Sequence, residues 1–179
     1  SLSDELAAGS DTTSMQDSLA NQEYSILLTG VDPNTGRLFF PGKDTAEVNE
    51  ILNESKVKAF FPPNLEFLWS VKPIGTSQAG DEIFELYPIK QGRNGKAPLE
   101  GDVITNAAND ISQDGRGYEI SMQMNSRGAK VWKRLTAENI DRKIAIVLDN
   151  RVYSAPTVQN EIPGGRSSIT GNFTLEESK

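Results

Sequence analysis

The chain has 179 residues, no cysteine, no histidine and a formal net charge of −7 at pH 7. Without Cys or His it has no disulfide, no thiolate or imidazole metal site and no thiol or imidazole catalyst, so no metal, no cofactor and no enzymatic activity are expected. The acidic balance, with no local run of Lys and Arg to offset it, argues against nucleic acid, which is bound through clustered basic residues.

The length suits one domain with room for a subdomain. No apolar run approaches the roughly 18 to 20 residues that cross a bilayer, and no basic segment followed by an apolar one opens the chain. Because it starts at Ser1 and stops at Glu176-Glu177-Ser178-Lys179, in what reads as a starting helix, a piece of a longer protein is expected.

Residues 1–22 are rich in Ser, Asp, Thr and Ala, with sparse apolar positions, and predict a flexible linker. Tyr24 to Leu28, the turn Asp32-Pro33-Asn34-Thr35-Gly36 and Leu38-Phe39-Phe40 predict a β-hairpin. A helix opens at Asp44, with Asp44 as its cap, Glu47 as the capping-box partner and Val48, Ile51 and Leu52 on one face; it should end before Pro62-Pro63. Leu65 to Val71 and Ile83 to Ile89 read as strands joined by the polar Gly75 to Gly80, with Pro73 and Pro88 limiting pairing near their ends.

Gln91 to Lys96 reads as an exposed loop, and Asp102 to Ile111 as a second helix. Tyr118, Ile120, Met122 and Met124 alternate with polar residues, the period of a half-buried strand. Ser126 to Leu135 should be helical, with Ala129, Trp132 and Leu135 facing inward. Ile144 to Leu148, the turn pair Asp149-Asn150 and Val152 to Val158 predict a tight hairpin, because Asp and Asn tolerate the positive φ that such turns require. Gly164-Gly165 predicts another turn. The interleaving is α+β: a mixed or antiparallel sheet with hairpins and a few packed helices. The expected divisions are a linker over 1–22, an N-terminal part over 23–98 and a core over 99–179.

Several chemical readings fail on residue type. The turn from Asp32 lacks the calcium-loop Glu, its twelfth position being Lys43. Ser126 or Ser154 would need a desolvated Lys130 or Lys143 as base, and nothing in the sequence supplies one. Gly164-Gly165 lacks the Lys-Ser/Thr of a phosphate loop. Asp141, Asp149, Glu161, Glu176 and Glu177 fall in turns and caps, where acids serve solvation. Trp69, Trp132, Phe60, Phe61, Phe84 and Tyr153 are each expected in the core first. As an apolar cleft for extended polypeptide the set is Phe60, Phe61, Trp69 and Trp132, and Phe60-Phe61, ahead of Pro62-Pro63, is best placed for exposure.

Ile144-Ala145-Ile146-Val147-Leu148-Asp149, Ser154-Ala155-Pro156, Gly164-Gly165 and Ile169-Thr170-Gly171-Asn172-Phe173-Thr174 together resemble the SecD subunit of the bacterial protein-export machinery. Leu99-Glu100-Gly101-Asp102 and the series Met122 to Ala129 with Trp132 and Thr136 agree in order, so the resemblance runs from Leu99 to the end. Upstream, only Asn64-Leu65-Glu66-Phe67 is similar. The resemblance implies the first periplasmic domain of a membrane-embedded parent, on the periplasmic side of the inner membrane. It implies a non-enzymatic module that binds unfolded preprotein while proton motive force acts through membrane helices, with a SecF-like subunit or half and the SecYEG channel as partners. An extended guest can be held by apolar contact or by strand addition to a sheet edge. Two alternatives stay open: an adaptor domain that binds other export or envelope subunits without touching substrate, and a hydrolase of unknown type.

Overall fold

A computed structural model describes residues 24–92, 95–111 and 118–173; the linker expected over 1–22 and the helix expected from Glu176 lie outside them. The chain divides into two compact units, one running to Lys90 and taking in Asp149–Val152, the other comprising Gln91–Leu148 and the chain from Tyr153. Both are built from antiparallel sheet with helices against it, an α+β architecture.

In the first unit β1 (Leu38–Pro41) and β2 (Leu65–Trp69) flank the central β4 (Glu82–Lys90), and the short β3 (Gly75–Thr76) also pairs with β4. The register sets Leu38 opposite Leu86 and Trp69 opposite Leu86 on the other side, so one row of apolar side chains crosses the sheet. Pro88 pairs with Phe67, beyond the point where β1 stops at Leu86, so β4 has a neighbour on one side only where it lacks an N–H.

Over that row lies the predicted helix. α2 (Thr45–Asn53) buries Val48, Ile51 and Leu52, the spacing that puts three side chains on one face. Its start differs from expectation. Asp44 occupies the N-cap position but makes no side-chain cap bond, because Gly42–Asp44 form a 3-10 turn and Thr45 Oγ1 bonds back to Gly42 O at 2.9 Å. Glu54 is extended and divides the helix, leaving α3 (Ser55–Lys58) to bury Val57 before Pro62.

The predicted strand at Tyr24 to Leu28 is instead α1 (Ser25–Thr29). The turn itself forms, with Asp32 Oδ1 accepting from Asn34 N at 2.8 Å, but pairing before it shrinks to the Val31↔Leu38 bridge. The chain bends away so that Tyr24 can enter the core, where its hydroxyl donates to Glu54 Oε2 at 2.9 Å.

In the second unit β5 (Ile104–Ile111), β6 (Tyr118–Met124) and β9 (Arg166–Phe173) form a sheet in that order. β5 corrects the helix predicted over Asp102 to Ile111. Gly101–Val103 is a 3-10 turn, and the Asn- and Ala-rich segment after it, of poor strand propensity, is extended because it pairs along the whole of β6.

α4 (Ser126–Glu138) is capped by Asn125, whose side chain accepts from Gly128 N at 2.9 Å. It lies close to the sheet through glycines: a Cβ on Gly128 would fall 2.7 Å from the Val103 side chain, and one on Gly165 2.7 Å from Ala129 Cβ. Thr136, fully buried, donates to Trp132 O and accepts from Ile162 N at 3.0 Å, tying the helix to the loop before β9.

The tight hairpin is β7 (Ile146–Leu148) and β8 (Arg151–Ser154), with φ of 48° at Asp149 and 58° at Asn150. β8 ends earlier than predicted, before Ala155-Pro156; past it Thr157 and Val158 form isolated bridges, to Lys143 and Ile140.

Candidate functional site

The residues read as a polypeptide-binding set occupy different environments. Phe60 follows α3 in a turn where its N–H donates to Val57 O and Phe61 N–H to Lys58 O. Its ring is 41% exposed, beside exposed Pro62 and Pro63. Phe61 is half-buried and meets Phe67 edge to face, ring centres 5.0 Å apart. Trp69 is 5% exposed and sits in the core, with Phe40 edge-on at 5.8 Å and its indole N–H donating to Asn49 Oδ1 at 2.9 Å. Trp132 belongs to the second unit, half-buried on α4, and its buried indole N–H meets no acceptor among the described residues. Among the described aromatics of the first unit, Phe60 is the exposed one, and Phe61 beside it is half-buried.

Other apolar side chains also face solvent. Leu148 is 56% and Tyr153 39% exposed, whereas the core was expected for Tyr153. In a two-residue hairpin Leu148 and Tyr153 project from the same face, since Leu148 lies opposite Arg151 and residues two apart share a face. Val152, on the other face, is 2% exposed and bridges Ser70.

Sequence reasoning missed one polar cluster. Glu85 is 3% exposed in the middle of β4, and its carboxylate accepts from Arg37 Nε at 2.7 Å, from Arg37 Nη2 and from the Tyr87 hydroxyl at 2.6 Å. Ser70 Oγ accepts from the Glu85 backbone N–H. Arg37 also lies 4.9 Å over the Phe39 ring. Burial pushes the Tyr87 phenol up to about 12, with the hydrogen bond to Glu85 adding to it, and the Glu85 contact raises Arg37. The carboxylate is fully engaged by donors, so this cluster ties β1 to β4 and offers no open acid or base. Its sequence signal was a lone acid amid the apolar run Ile83 to Tyr87.

Elsewhere acids serve turns and surface pairs. Asp32 is held below its usual range by the Asn34 backbone N–H, and Glu161 pairs with Lys133 at 3.3 Å. Among the described residues no three acidic side chains gather in a way that could hold a metal.

A further unpredicted feature is the outer side of β5, where Thr105, Asn106, Ala107 and Ala108 are all exposed. β5 is the end strand of its sheet.

The sequence profile of the SecDF P1 head subdomain matches residues 85–179. The chain belongs to this family. It is 43% identical over 138 residues to the protein translocase subunit SecD of Rhodothermus marinus, a match covering 77% of this chain and 21% of that protein. It is 42% identical over 83 residues to the SecD of Calditerrivibrio nitroreducens, covering 46% and 16%. A solved structure of SecDF, a membrane component that enhances protein export, aligns with a TM-score of 0.43 and 25% identity over 78% of this chain and 67% of that one. The chain thus spans about a fifth of the length of the curated relatives it matches. The resemblance expected from Leu99 onward holds, and the profile match begins earlier, within β4.

Proposed function

We propose that this chain is the head region of the first periplasmic domain of a SecD-type translocase subunit and that it holds preprotein during export. The observation that carries this reading is the P1 head match over residues 85–179. In this reading the parent sits in the bacterial inner membrane, this piece works on its periplasmic side, and proton motive force acts through membrane segments elsewhere in the parent. No helix of the described residues is long and apolar enough to cross a membrane. SecYEG and a SecF-like subunit or half are the partners of the parent. The work is binding and release, with no bond made or broken, in keeping with a chain without His or Cys whose buried carboxylate is closed by Arg37 and Tyr87.

Exposed Phe60, next to half-buried Phe61, supplies apolar contact that does not depend on guest sequence. The test is crosslinking of the chain to a model unfolded preprotein, with a Phe60→Ala/Phe61→Ala variant alongside. Preprotein adducts that fall in the variant support the reading. No adducts in either form, with capture of partner subunits undiminished, would instead establish an adaptor that never touches substrate.

A further inference from the structure

We infer that the outer edge of β5 captures extended polypeptide by accepting it as an added strand, an inference that rests on the substrate-holding role proposed above. β5 pairs on one side with β6, from Ile104↔Met124 to Ile111↔Tyr118 with one break in register at Thr105, and stands at the end of the sheet among the described residues. An end strand directs alternate N–H and C=O groups away from its sheet. From Thr105 to Ala108 every residue is exposed, in place of the in-and-out alternation of a half-buried strand, so both the edge and its flanks are open to a guest.

Protein sheets usually block such edges with shortness, Pro, Lys or charge. In the first unit β1 is four residues long and ends at Pro41, β2 has five residues, and β4 carries Pro88. β5 runs for eight residues without Pro or Lys, its first charged residue is Asp110, and its one irregularity, at Thr105, lies near its start and leaves Asn106 to Ile111 in regular register. It is guarded differently. Asn106-Ala107-Ala108 has low strand propensity and little apolar surface, so one edge has little tendency to pair with another copy of itself.

An open edge of weak self-affinity fits a guest defined by its backbone alone. Ala107 and Ala108 leave room for side chains of any size, and the uncharged stretch from Ile104 to Asn109 repels neither sign of charge. Main-chain hydrogen bonds supply affinity without sequence preference, as a translocating chain of variable sequence requires.

The test is amide hydrogen exchange on the 179-residue chain, with and without a reduced and carboxymethylated polypeptide that cannot refold. Outward amides within Thr105 to Ala108 should slow by about tenfold or more on addition of the polypeptide. Ala107→Pro and Ala108→Pro supply the second arm, because adjacent residues send their N–H groups to opposite sides. One variant loses a bond to β6 and melts lower. The other should keep its melting temperature and lose the polypeptide-dependent protection.

Polypeptide that binds without slowing these amides would overturn the edge inference while leaving the substrate role in place. Protection that grows with protein concentration alone, without polypeptide, would assign the edge to a second copy of the chain and overturn it too. Absence of any binding would remove the substrate role and this inference together.

Discussion

In the unit that ends at Lys90, helix meets sheet through large side chains: Val48, Ile51 and Leu52 of α2 close over Phe40, Trp69 and Leu86. In the unit that begins at Gln91, α4 meets its sheet through glycines, with Gly128 against Val103 and Met124, and Gly165 against Ala129. The first arrangement removes much apolar area from water per residue and concentrates stability in a few side chains. The second brings backbones together with little side-chain volume between them, in a sheet that ends, among the described residues, at β5. The two should therefore fail in opposite ways, the first on losing atoms and the second on gaining them.

The largest effect tests the first half of that contrast. Trp69→Ala removes the partner of the Phe40 ring and should cost about 4 kcal/mol in urea unfolding. Hydrogen exchange should quicken in β2 and β4 and stay unchanged in β6; equal loss in β6 would break the comparison. Arg37→Ala strips the buried Glu85 carboxylate of its charged partner. Because the guanidinium is itself 44% exposed, the loss should be about 2 kcal/mol, below the usual range for a fully buried pair.

Gly128→Ala tests the other half. Alanine is the better helix former by about 1 kcal/mol. Yet its methyl would sit 2.7 Å from Val103, and overpacking of about 2 kcal/mol should leave the variant about 1 kcal/mol less stable by thermal unfolding. A stabilised variant would show that the glycine contact yields easily.

Tyr87 predicts a pH signature confined to the first unit. Its folded value near 12 lies above the ordinary 10.0, so the protonated phenol is favoured by folding. That contribution is fully present below pH 10 and is lost as pH rises toward 12, by about 1 kcal/mol once solvent screening of a half-buried group is allowed for. Tyr87→Phe should flatten this part of the alkaline stability curve, and an unchanged slope would reject the assignment. The smallest effect is expected on the exposed face of α4, where Arg134 and Glu138 stand 4.0 Å apart: Arg134→Ala should change stability by about 0.3 kcal/mol.

Much of this was legible along the chain where the signal is local. The Asp149-Asn150 hairpin followed from two residues that accept positive φ, and both adopt it. Val48, Ile51 and Leu52 were readable from spacing alone. Asp102 to Ile111 was misread because Ala and Asn carry no period that marks a strand, and their extended form comes from antiparallel pairing with β6, the next strand in the chain. Tyr24 to Leu28 was misread for the reverse reason: its apolar run looks like a strand, but Tyr24 enters the core with residues of α2 and α3, and the run after it is helical. Of the aromatic set, composition could not separate Trp69, which the core claims, from Phe60, which projects from a turn.

The amino-acid order alone determined the absence of imidazole and thiol chemistry, the main turns, the buried face of α2, and the resemblance to SecD from Leu99 onward, since each rests on residues close in sequence or on residue type. Tertiary structure alone decided that Glu85 is buried against Arg37, far away in the chain, and that β5 is the end strand of its sheet among the described residues. Backbone pairing with a neighbouring strand outweighs local preference wherever that preference is only a few tenths of a kcal/mol per residue, as it is in the Asn- and Ala-rich β5.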